Sequence, residues 1–431
     1  MTNLTVLRNP AEEALISRFP EAKASLGGGP VDLARERAFA ALREKGLPHR
    51  RVEQYKYTDL RALMREAAPL APEPTGDLEK KALLIADAGR LSFVNGWYRD
   101  ASGVPAGVSV SRLKDALAKK DAVVETWYGK AVKLGGDDAI LALNAAFVGD
   151  GAVIDVKGDV ETPLLLDFAI AADAPLSIYP RVLVVVEAGA KLTLVEHIHG
   201  PAGVANQIAS LVELVVGDGA TVEHIRLDET GDVALSLSSL AVWLGQEANL
   251  SSLNMSANAA ASRYQVFATF GGRDAKASIR GATLVRGKQH ADATLLVDHV
   301  EPGGESRELF RTVLDEGATG VFQGKIIVRQ KAQKTDGRMA SNALMLSDDA
   351  AMNNKPELEI FADDVQCAHG ATCGALDDDL LFYLMARGIT RKQAEALMIE
   401  SFVGETIEPI GHEGLREALV ARVEDWLKAR I

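Results

Sequence analysis

Three related seven-residue turns recur in this sequence: Val186-Glu-Ala-Gly-Ala-Lys-Leu192, Val216-Gly-Asp-Gly-Ala-Thr-Val222 and Leu244-Gly-Gln-Glu-Ala-Asn-Leu250. The alanine in each turn, and a fourth alanine further on, recur at nearly equal intervals along the chain: Ala190, Ala220, Ala248 and Ala275. An interval of this size is typical of stacked solenoid coils, because each coil can bury its apolar face only against the next coil. The repeat therefore predicts a β-solenoid.

Residue composition and hydrophobic pattern divide the chain into three regions. Residues 151–375 are short runs rich in Val, Ile, Leu and Thr, broken by Gly, Asp and Asn, and predict the all-β core. Residues 1–150 predict a helical and mixed region with a Pro-rich linker near 68–79. Residues 376–431 predict a C-terminal domain of three amphipathic helices, the first two capped by Asp377 and Thr390.

The tetrapeptide Val-Glu-His-Ile occurs twice, at Val195–Ile198 and Val222–Ile225, and the two copies are as far apart as Ala248 and Ala275. If one coil is one repeat, the two copies stack on adjacent coils, with Glu196 on Glu223 and His197 on His224. Two interpretations stay open. The stack is either a metal-binding or proton-handling ladder, or a side-chain ladder on the solvent face.

Composition excludes several classes of function. The net charge is −13, and nucleic-acid binding needs concentrated Lys and Arg. No apolar run is long enough to span a bilayer, and residues 1–10 lack the features of a signal peptide, so we expect a cytoplasmic protein with no membrane partner.

Enzyme signatures are missing from the sequence. The segment Gly320–Ile326 resembles a phosphate loop, but it has three residues between its glycines instead of four, and Ile326 stands where Ser or Thr would hold magnesium. Neither a zinc-peptidase spacing nor a nucleophile elbow is present. We therefore expect a protein that is not an enzyme.

The segment Asp363–Thr372 carries the chemistry that points to a metal. Side chains alternate faces along a strand, so Val365, Cys367 and His369 project to the same side. A thiolate and an imidazole so placed suit iron or zinc. The alternative is a buried cysteine beside a hydrogen-bonded histidine.

Four strings resemble the SufB/SufD family of iron–sulfur cluster assembly proteins: Gln330–Gly337, Pro356–Val365, Cys367–Thr372 and Leu381–Gly388. The resemblance is closer to the SufD type. SufB-type chains usually have Gly-His-Glu-Ala-Thr where this chain has Ala368–Thr372, and a cluster-ligand cysteine where it has Ser341.

The resemblance implies a right-handed parallel β-helix core flanked by N- and C-terminal helices, and a non-catalytic scaffold subunit. It implies that a SufB-type paralogue pairs with the core and that a SufC-type ATPase binds the C-terminal helices. A transient Fe–S cluster would be shared with the paralogue, with His369 the first-choice ligand and Cys367 the second. Reduced flavin is implied for the complex.

Two alternatives to this function stay open. One is an enzyme built on a β-helix, a lyase or an acyltransferase, for which the Glu196 and Glu223 pair would be the candidate acid and base. The other is a SufB-like homodimeric scaffold, which the missing thiol at Ser341 disfavours because a hydroxyl is a poor iron ligand. We also expect that the isolated chain can form a homodimer.

Overall fold

The structure is a computed structural model that describes residues 8–75 and 84–430. The helices are α1 (Pro10–Ser25), α2 (Gly29–Lys45), α3 (Leu60–Leu63), α4 (Leu113–Ala118), α5 (Ala122–Trp127), α6 (Ala139–Phe147), α7 (Asp378–Met385), α8 (Arg391–Ile407) and α9 (Glu413–Lys428). The early strands are β1 (Gly89–Val94), β2 (Trp97–Ser102), β3 (Val108–Arg112), β4 (Asp150–Val156), β5 (Leu164–Ala169), β6 (Ser177–Ile178) and β7 (Pro180–Val186).

The later strands are longer than the early ones and similar to one another in length. They are β8 (Lys191–His199), β9 (Gln207–Val216), β10 (Thr221–Glu229), β11 (Leu235–Leu244), β12 (Asn249–Ser256), β13 (Ala261–Phe270), β14 (Lys276–Val285), β15 (His290–His299), β16 (Glu305–Leu314), β17 (Thr319–Val328), β18 (Asp336–Met345), β19 (Ala351–Ile360) and β20 (Gln366–Gly374).

Successive strands alternate between two facing sheets, which makes a parallel β-solenoid of about eight turns. Sheet A has the order β19-β17-β15-β13-β11-β9-β7-β4-β3, and sheet B has the order β2-β1-β5-β8-β10-β12-β14-β16-β18-β20. Only the β1–β2 and β3–β4 pairs are antiparallel among the pairs of the described strands. The predicted fold class, a mainly β solenoid with helices at both ends of the chain, is confirmed.

The alanine repeat marks the coils as predicted. Thr221 pairs with Lys191 and with Asn249, and Asn249 pairs with Lys276, so each of these coils is as long as the interval between two successive alanines of the repeat. All four turn alanines are fully buried in the interior cluster between the sheets. Gly189 and Gly219 precede two of them with φ of 71° and 65°, a left-handed conformation that favours glycine.

The stacked Val-Glu-His-Ile ladder predicted from the sequence is wrong. In the register between β8 and β10, His224 pairs with Leu194 and His197 pairs with Leu227. The two tetrapeptides are thus offset by three positions from the register that would stack them. An odd offset places equivalent side chains on opposite faces of a sheet, because side chains alternate with a period of two. The glutamates and histidines therefore do not stack.

Helices cover the outer faces of both sheets. N-terminal helices pack on sheet A, where α6 lies over β9 and β11. Helices α8 and α9 pack on sheet B, and their apolar side chains share a buried cluster with β10, β12, β14 and β16. None of the helices in the described ranges has the length and apolar character that a bilayer crossing requires.

Local signals place the terminal helices correctly. Asp377 and Thr390 cap α7 and α8 through hydrogen bonds to backbone N–H groups, as predicted. Strand β17 contains the whole segment Gly320–Ile326, and a strand interior cannot form a phosphate loop. Part of the predicted linker at 68–79 lies outside the described residues, but Leu70 forms a β-bridge with Ser177.

Candidate functional site

The solenoid ends at an open coil, which we call the open end and define by strands β19 and β20. These strands are the last in sheets A and B, and each has a neighbour on one side only among the described strands. Most residues of β20 are exposed, whereas the strands of the middle coils are almost entirely buried. Such an edge carries backbone groups that can pair with another chain.

The free edges of β19 and β20 differ in the backbone N–H donors that they can offer to another chain. The Gln366 N–H donates to Thr335 O, so by the alternation of a parallel ladder the odd-numbered residues of β20 direct their N–H and C=O groups to the free edge. In β19 the even-numbered residues face the edge, since the Ala351 N–H donates to Ala318 O. Pro356, which has no N–H, occupies one of these positions. The edge of β20 contains no proline and keeps all its donors.

Cys367 and His369 lie on the interior side of β20. They pair in register with Gly337 and Met339 of β18, and Met339 is buried in the interior cluster. Val365 and Cys367 pack against that same cluster. His369 is exposed and Cys367 is half-buried, so the two side chains lie at the mouth of the solenoid interior.

The Cys367 thiol is protonated near neutral pH in the free chain. Burial is the main cause that raises the pKa of this thiol, and the nearby Asp336 carboxylate raises it by a smaller amount. A metal ion would have to displace its proton, because the thiolate is the form that binds iron.

The structure also brings together three polar residues at the open end that the sequence did not indicate as a group. Ser341, which is fully buried, donates a hydrogen bond to Asn354 Oδ1 at 2.7 Å, and the Asn354 amide lies 3.4 Å from Cys373 Sγ. Cys373 falls on the same side of β20 as Cys367 and His369 because it is an even number of residues away. The even spacing between Cys373 and His369 could have indicated from the sequence that the two side chains share a strand face.

Glu308 is the second feature that the sequence did not indicate. It lies in β16, pairs with Met339, and is therefore two strands inward from His369. Its side chain is buried, and neither carboxylate oxygen has a hydrogen-bond partner among the described residues. Burial raises the pKa of Glu308 to about 8. Nothing in Glu-Leu-Phe distinguishes this residue from a surface glutamate.

An apolar surface lies on the C-terminal helices, and we call it the α7 surface. Its members are large apolar side chains that remain exposed: Leu380, Phe382, Tyr383, Met385 and Leu397. Phe382 is 74% exposed, whereas Leu381 beside it is buried. Several large apolar side chains left in water on one part of a protein are typical of a surface that contacts another protein.

These features define a class of protein. The chain is a β-solenoid with an open end whose strand edge can pair, a thiol and an imidazole at that end, and exposed apolar side chains on the C-terminal helices. These features are typical of a protein that binds other chains.

Comparison with known proteins identifies the family. Residues 168–402 match the model described as "SUF system FeS cluster assembly, SufBD core domain", and residues 12–70 and 86–164 match "SufBD protein N-terminal region". The chain belongs to the SufBD family. It is 30% identical to an iron–sulfur cluster assembly SufBD family protein of Synechocystis, over 84% of each chain.

Two other relatives carry the name SufD. The chain is 28% identical to the iron–sulfur cluster assembly protein SufD of Escherichia coli, over 88% of this chain and 89% of the relative. It is 26% identical to the protein of the same name in Bacillus subtilis, over 75% and 74%. The predicted resemblance, SufD-like within the SufB/SufD family, is confirmed.

Proposed function

We propose that this chain is a non-catalytic scaffold subunit of SUF iron–sulfur cluster assembly, and that a SufB-type paralogue completes its site. The observation that carries the proposal is the open end. It presents unpaired strand edges and the donors of Cys367 and His369 in one place. Strand addition at a sheet edge is a common way for one protein to bind another.

The donor set at the open end fits shared ligation of a nascent cluster, which is cargo and not a resident cofactor. Fe–S clusters are held mostly by four cysteine thiolates. This chain offers Cys367, His369 and Cys373 at the open end, and Ser341 supplies only a hydroxyl that already donates to Asn354. Partner ligands must therefore complete the set. His369, the most accessible of the predicted pair, is the first-choice ligand.

The ATP-dependent step belongs to a second partner in this proposal. The α7 surface is the docking site for a SufC-type ATPase, because its large apolar side chains are exposed and lie on helices outside the solenoid strands. The chain itself is expected to show no ATP hydrolysis, since its only phosphate-loop-like segment is strand β17. Reduced flavin stays a prediction of the resemblance for the assembled complex.

The test is anaerobic cluster reconstitution on the co-expressed complex with this chain carrying His369→Ala. We expect subunit assembly and melting temperature to remain as in the parent, because the side chain is exposed, while the visible absorbance of the cluster falls sharply. Cys367→Ser should reduce it less. His49→Ala, a change in the loop after α2, is the matched control and should leave the absorbance unchanged.

Two outcomes would contradict the proposal. A His369→Ala complex that melts early but forms clusters normally would show that the imidazole is structural. Failure of the chain to form any complex with a SufB-type paralogue would remove the partner on which the site depends.

A further inference from the structure

A second group of metal-ligating side chains lies on the outer face of sheet B, away from the open end. Asp167 of β5, His197 and His199 of β8, and Glu229 of β10 form it, and we call it the outer cluster. One ligand atom from each of Asp167, His197 and His199 lies within 4.8 Å of the others. This group is independent of the donors in β20.

Strand geometry creates the outer cluster. His197 and His199 are two residues apart on β8 and share a face, and their ring centroids are 4.7 Å apart. Asp167 pairs in register with His197, and Ala169 pairs with His199. The cluster thus rests on adjacent strands inside a sheet, and such rigid elements hold ligands in place.

Each imidazole faces one carboxylate. His199 Nε2 is 2.7 Å from Asp167 Oδ1, and His197 Nε2 is 2.7 Å from Glu229 Oε2. The other oxygens of these carboxylates are held by arginines, Oδ2 of Asp167 by Arg90 and Oε1 of Glu229 by Arg422 of α9. Outer partners of this kind orient ligating groups without occupying the atoms that face the metal.

His224, which lies inside the solenoid, is an example of a histidine with a structural role in this fold. His224 is fully buried, with Nε2 at 2.7 Å from Glu196 and Nδ1 at 2.9 Å from Ser252, so both ring nitrogens are used. In the outer cluster the side chains of His197 and His199 remain 9% and 15% exposed. These two side chains are therefore partly accessible to solvent, unlike that of His224.

We propose that Asp167, His197 and His199 bind one first-row divalent transition-metal ion of the Fe²⁺ or Zn²⁺ class, with Glu229 beside them as a fourth donor. Two imidazoles and one carboxylate are a donor set that suits these ions. The ion would replace the protons that now lie between imidazole and carboxylate. Metal–ligand bonds of about 2.0–2.2 Å require small shifts of these side chains, because His199 Nε2 and Asp167 Oδ1, now 2.7 Å apart, must separate to make room for the ion.

The neighbouring arginines set the expected strength of the site. Arg90 and Arg422 neutralise the two carboxylates in the free chain, so a divalent ion adds its charge to an otherwise balanced group. Affinity should therefore be lower than in structural zinc sites that use charged thiolates. Oxygen-preferring Mg²⁺ should not compete, because it prefers carboxylate, carbonyl and water ligands to imidazole.

The test is a Co²⁺ titration of the full chain, followed by the visible absorbance of the bound ion. We expect one Co²⁺ per chain, displaced by Zn²⁺ and by anaerobic Fe²⁺ and not by Mg²⁺. His199→Gln should weaken binding at least tenfold, while His369→Ala should leave it unchanged. Zn²⁺ should raise the melting temperature of the parent and EDTA should reverse the rise.

Asp167→Asn is the second ligand variant, which keeps the shape of the side chain, removes its charge and should also weaken Co²⁺ binding. Circular dichroism and thermal melting establish that each variant is folded before its titration is compared. Binding that survives both His199→Gln and Asp167→Asn overturns the proposal. So does binding lost in His369→Ala, which would place the ion at the open end, and so does a parent chain that binds no Co²⁺.

Discussion

Two titratable side chains inside the solenoid have pKa values displaced in opposite directions. Burial lowers the pKa of His299 to about 4 and raises the pKa of Glu308 to about 8. Both groups are therefore uncharged in the folded chain at neutral pH. His299 keeps a contact to Ser306 and stacks on Phe270, whereas Glu308 is buried in β16 between its register partners Ile279 and Met339.

Glu308 makes the folded chain less stable as the pH rises. Its folded pKa lies above the value of about 4.5 for the unfolded chain, so its contribution is fully present below pH 4.5 and is lost as the pH rises toward 8. In the variant Glu308→Gln the side-chain amide that replaces the carboxyl does not titrate. We expect the melting temperature of the variant, relative to the parent, to increase between pH 5 and pH 8.

The measurement is thermal melting of both proteins over that range. Glu305→Gln, at the start of the same strand where the side chain is 45% exposed, is the matched control and should run parallel to the parent. A difference between Glu308→Gln and the parent that stays constant with pH would mean that the carboxyl is ionised in the folded state.

Among the elements, α6 shows how the N-terminal helices are attached to the solenoid. Asn144 is fully buried, and its Nδ2 donates to the carbonyl oxygens of Pro180 and Ala209, each at 2.8 Å. These acceptors belong to β7 and β9, so one amide joins the helix to two neighbouring coils. The helix itself forms from neighbouring residues, whereas this attachment depends on the tertiary structure.

Asn144→Leu should destabilise the chain by about 1–3 kcal/mol, because it leaves two buried carbonyl groups without their donor. Equilibrium unfolding in urea measures the change as a lower midpoint with an unaltered slope. Asn249→Leu, at an exposed strand start, is the control and should shift the midpoint little. Equal shifts in the two variants would contradict the role given to Asn144.

The C-terminal helices divide into a structural part and an exposed part. Helices α8 and α9 bury Ile399, Val403 and Leu419 against sheet B, so removal of residues beyond Gly374 would uncover apolar strands and delete the α7 surface at the same time. A truncation therefore cannot separate folding from binding. A substitution on the α7 surface can separate these two effects.

Phe382→Asp should abolish binding of the SufC-type ATPase and leave the fold intact, because the ring is 74% exposed and a charge there opposes an apolar contact. Pull-down and thermal melting of the same preparation provide the two readings. Val233→Asp, at an exposed apolar residue in the loop before β11, is the matched control and should bind normally. Full affinity of Phe382→Asp would place the docking site elsewhere.

At the scale of the whole molecule, the open end is the surface that we propose for association with another chain. Ala371 directs its N–H to the free edge of β20, while Gly370 and Thr372 belong to the ladder with β18. Proline at 371 therefore removes one edge donor without breaking the internal ladder. The same edge is available to a paralogue or, in the isolated chain, to a second copy.

Ala371→Pro should weaken pairing with the SufB-type paralogue and favour the monomer of the isolated chain, since edge pairing depends on backbone donors. Native mass measurement of the complex and of the chain alone gives both results. Ala371→Val keeps the N–H and is the control. Undiminished complex formation by the proline variant would show that β20 is not the pairing edge.

The sequence by itself determined the coil period, the β core and the C-terminal helix starts. Ala190, Ala220 and Ala248 mark turns whose spacing equals the coil length, and Asp377 and Thr390 cap helices through bonds a few residues away. These signals are local, so no distant part of the chain can alter them. Cys367 and His369 share a strand face for the same reason, and their role as ligands stays a prediction.

Only the tertiary structure decided which side chains meet across coils. The register between β8 and β10 sends His197 outward and His224 inward, although both lie in the same tetrapeptide. Asp167 meets His199, and Glu308 becomes buried, through strands that are separated by whole coils. The coil from Ala190 to Ala220 is longer than the interval between the two tetrapeptides by an odd number of residues, and an odd difference reverses the face on which each side chain of the second copy lies.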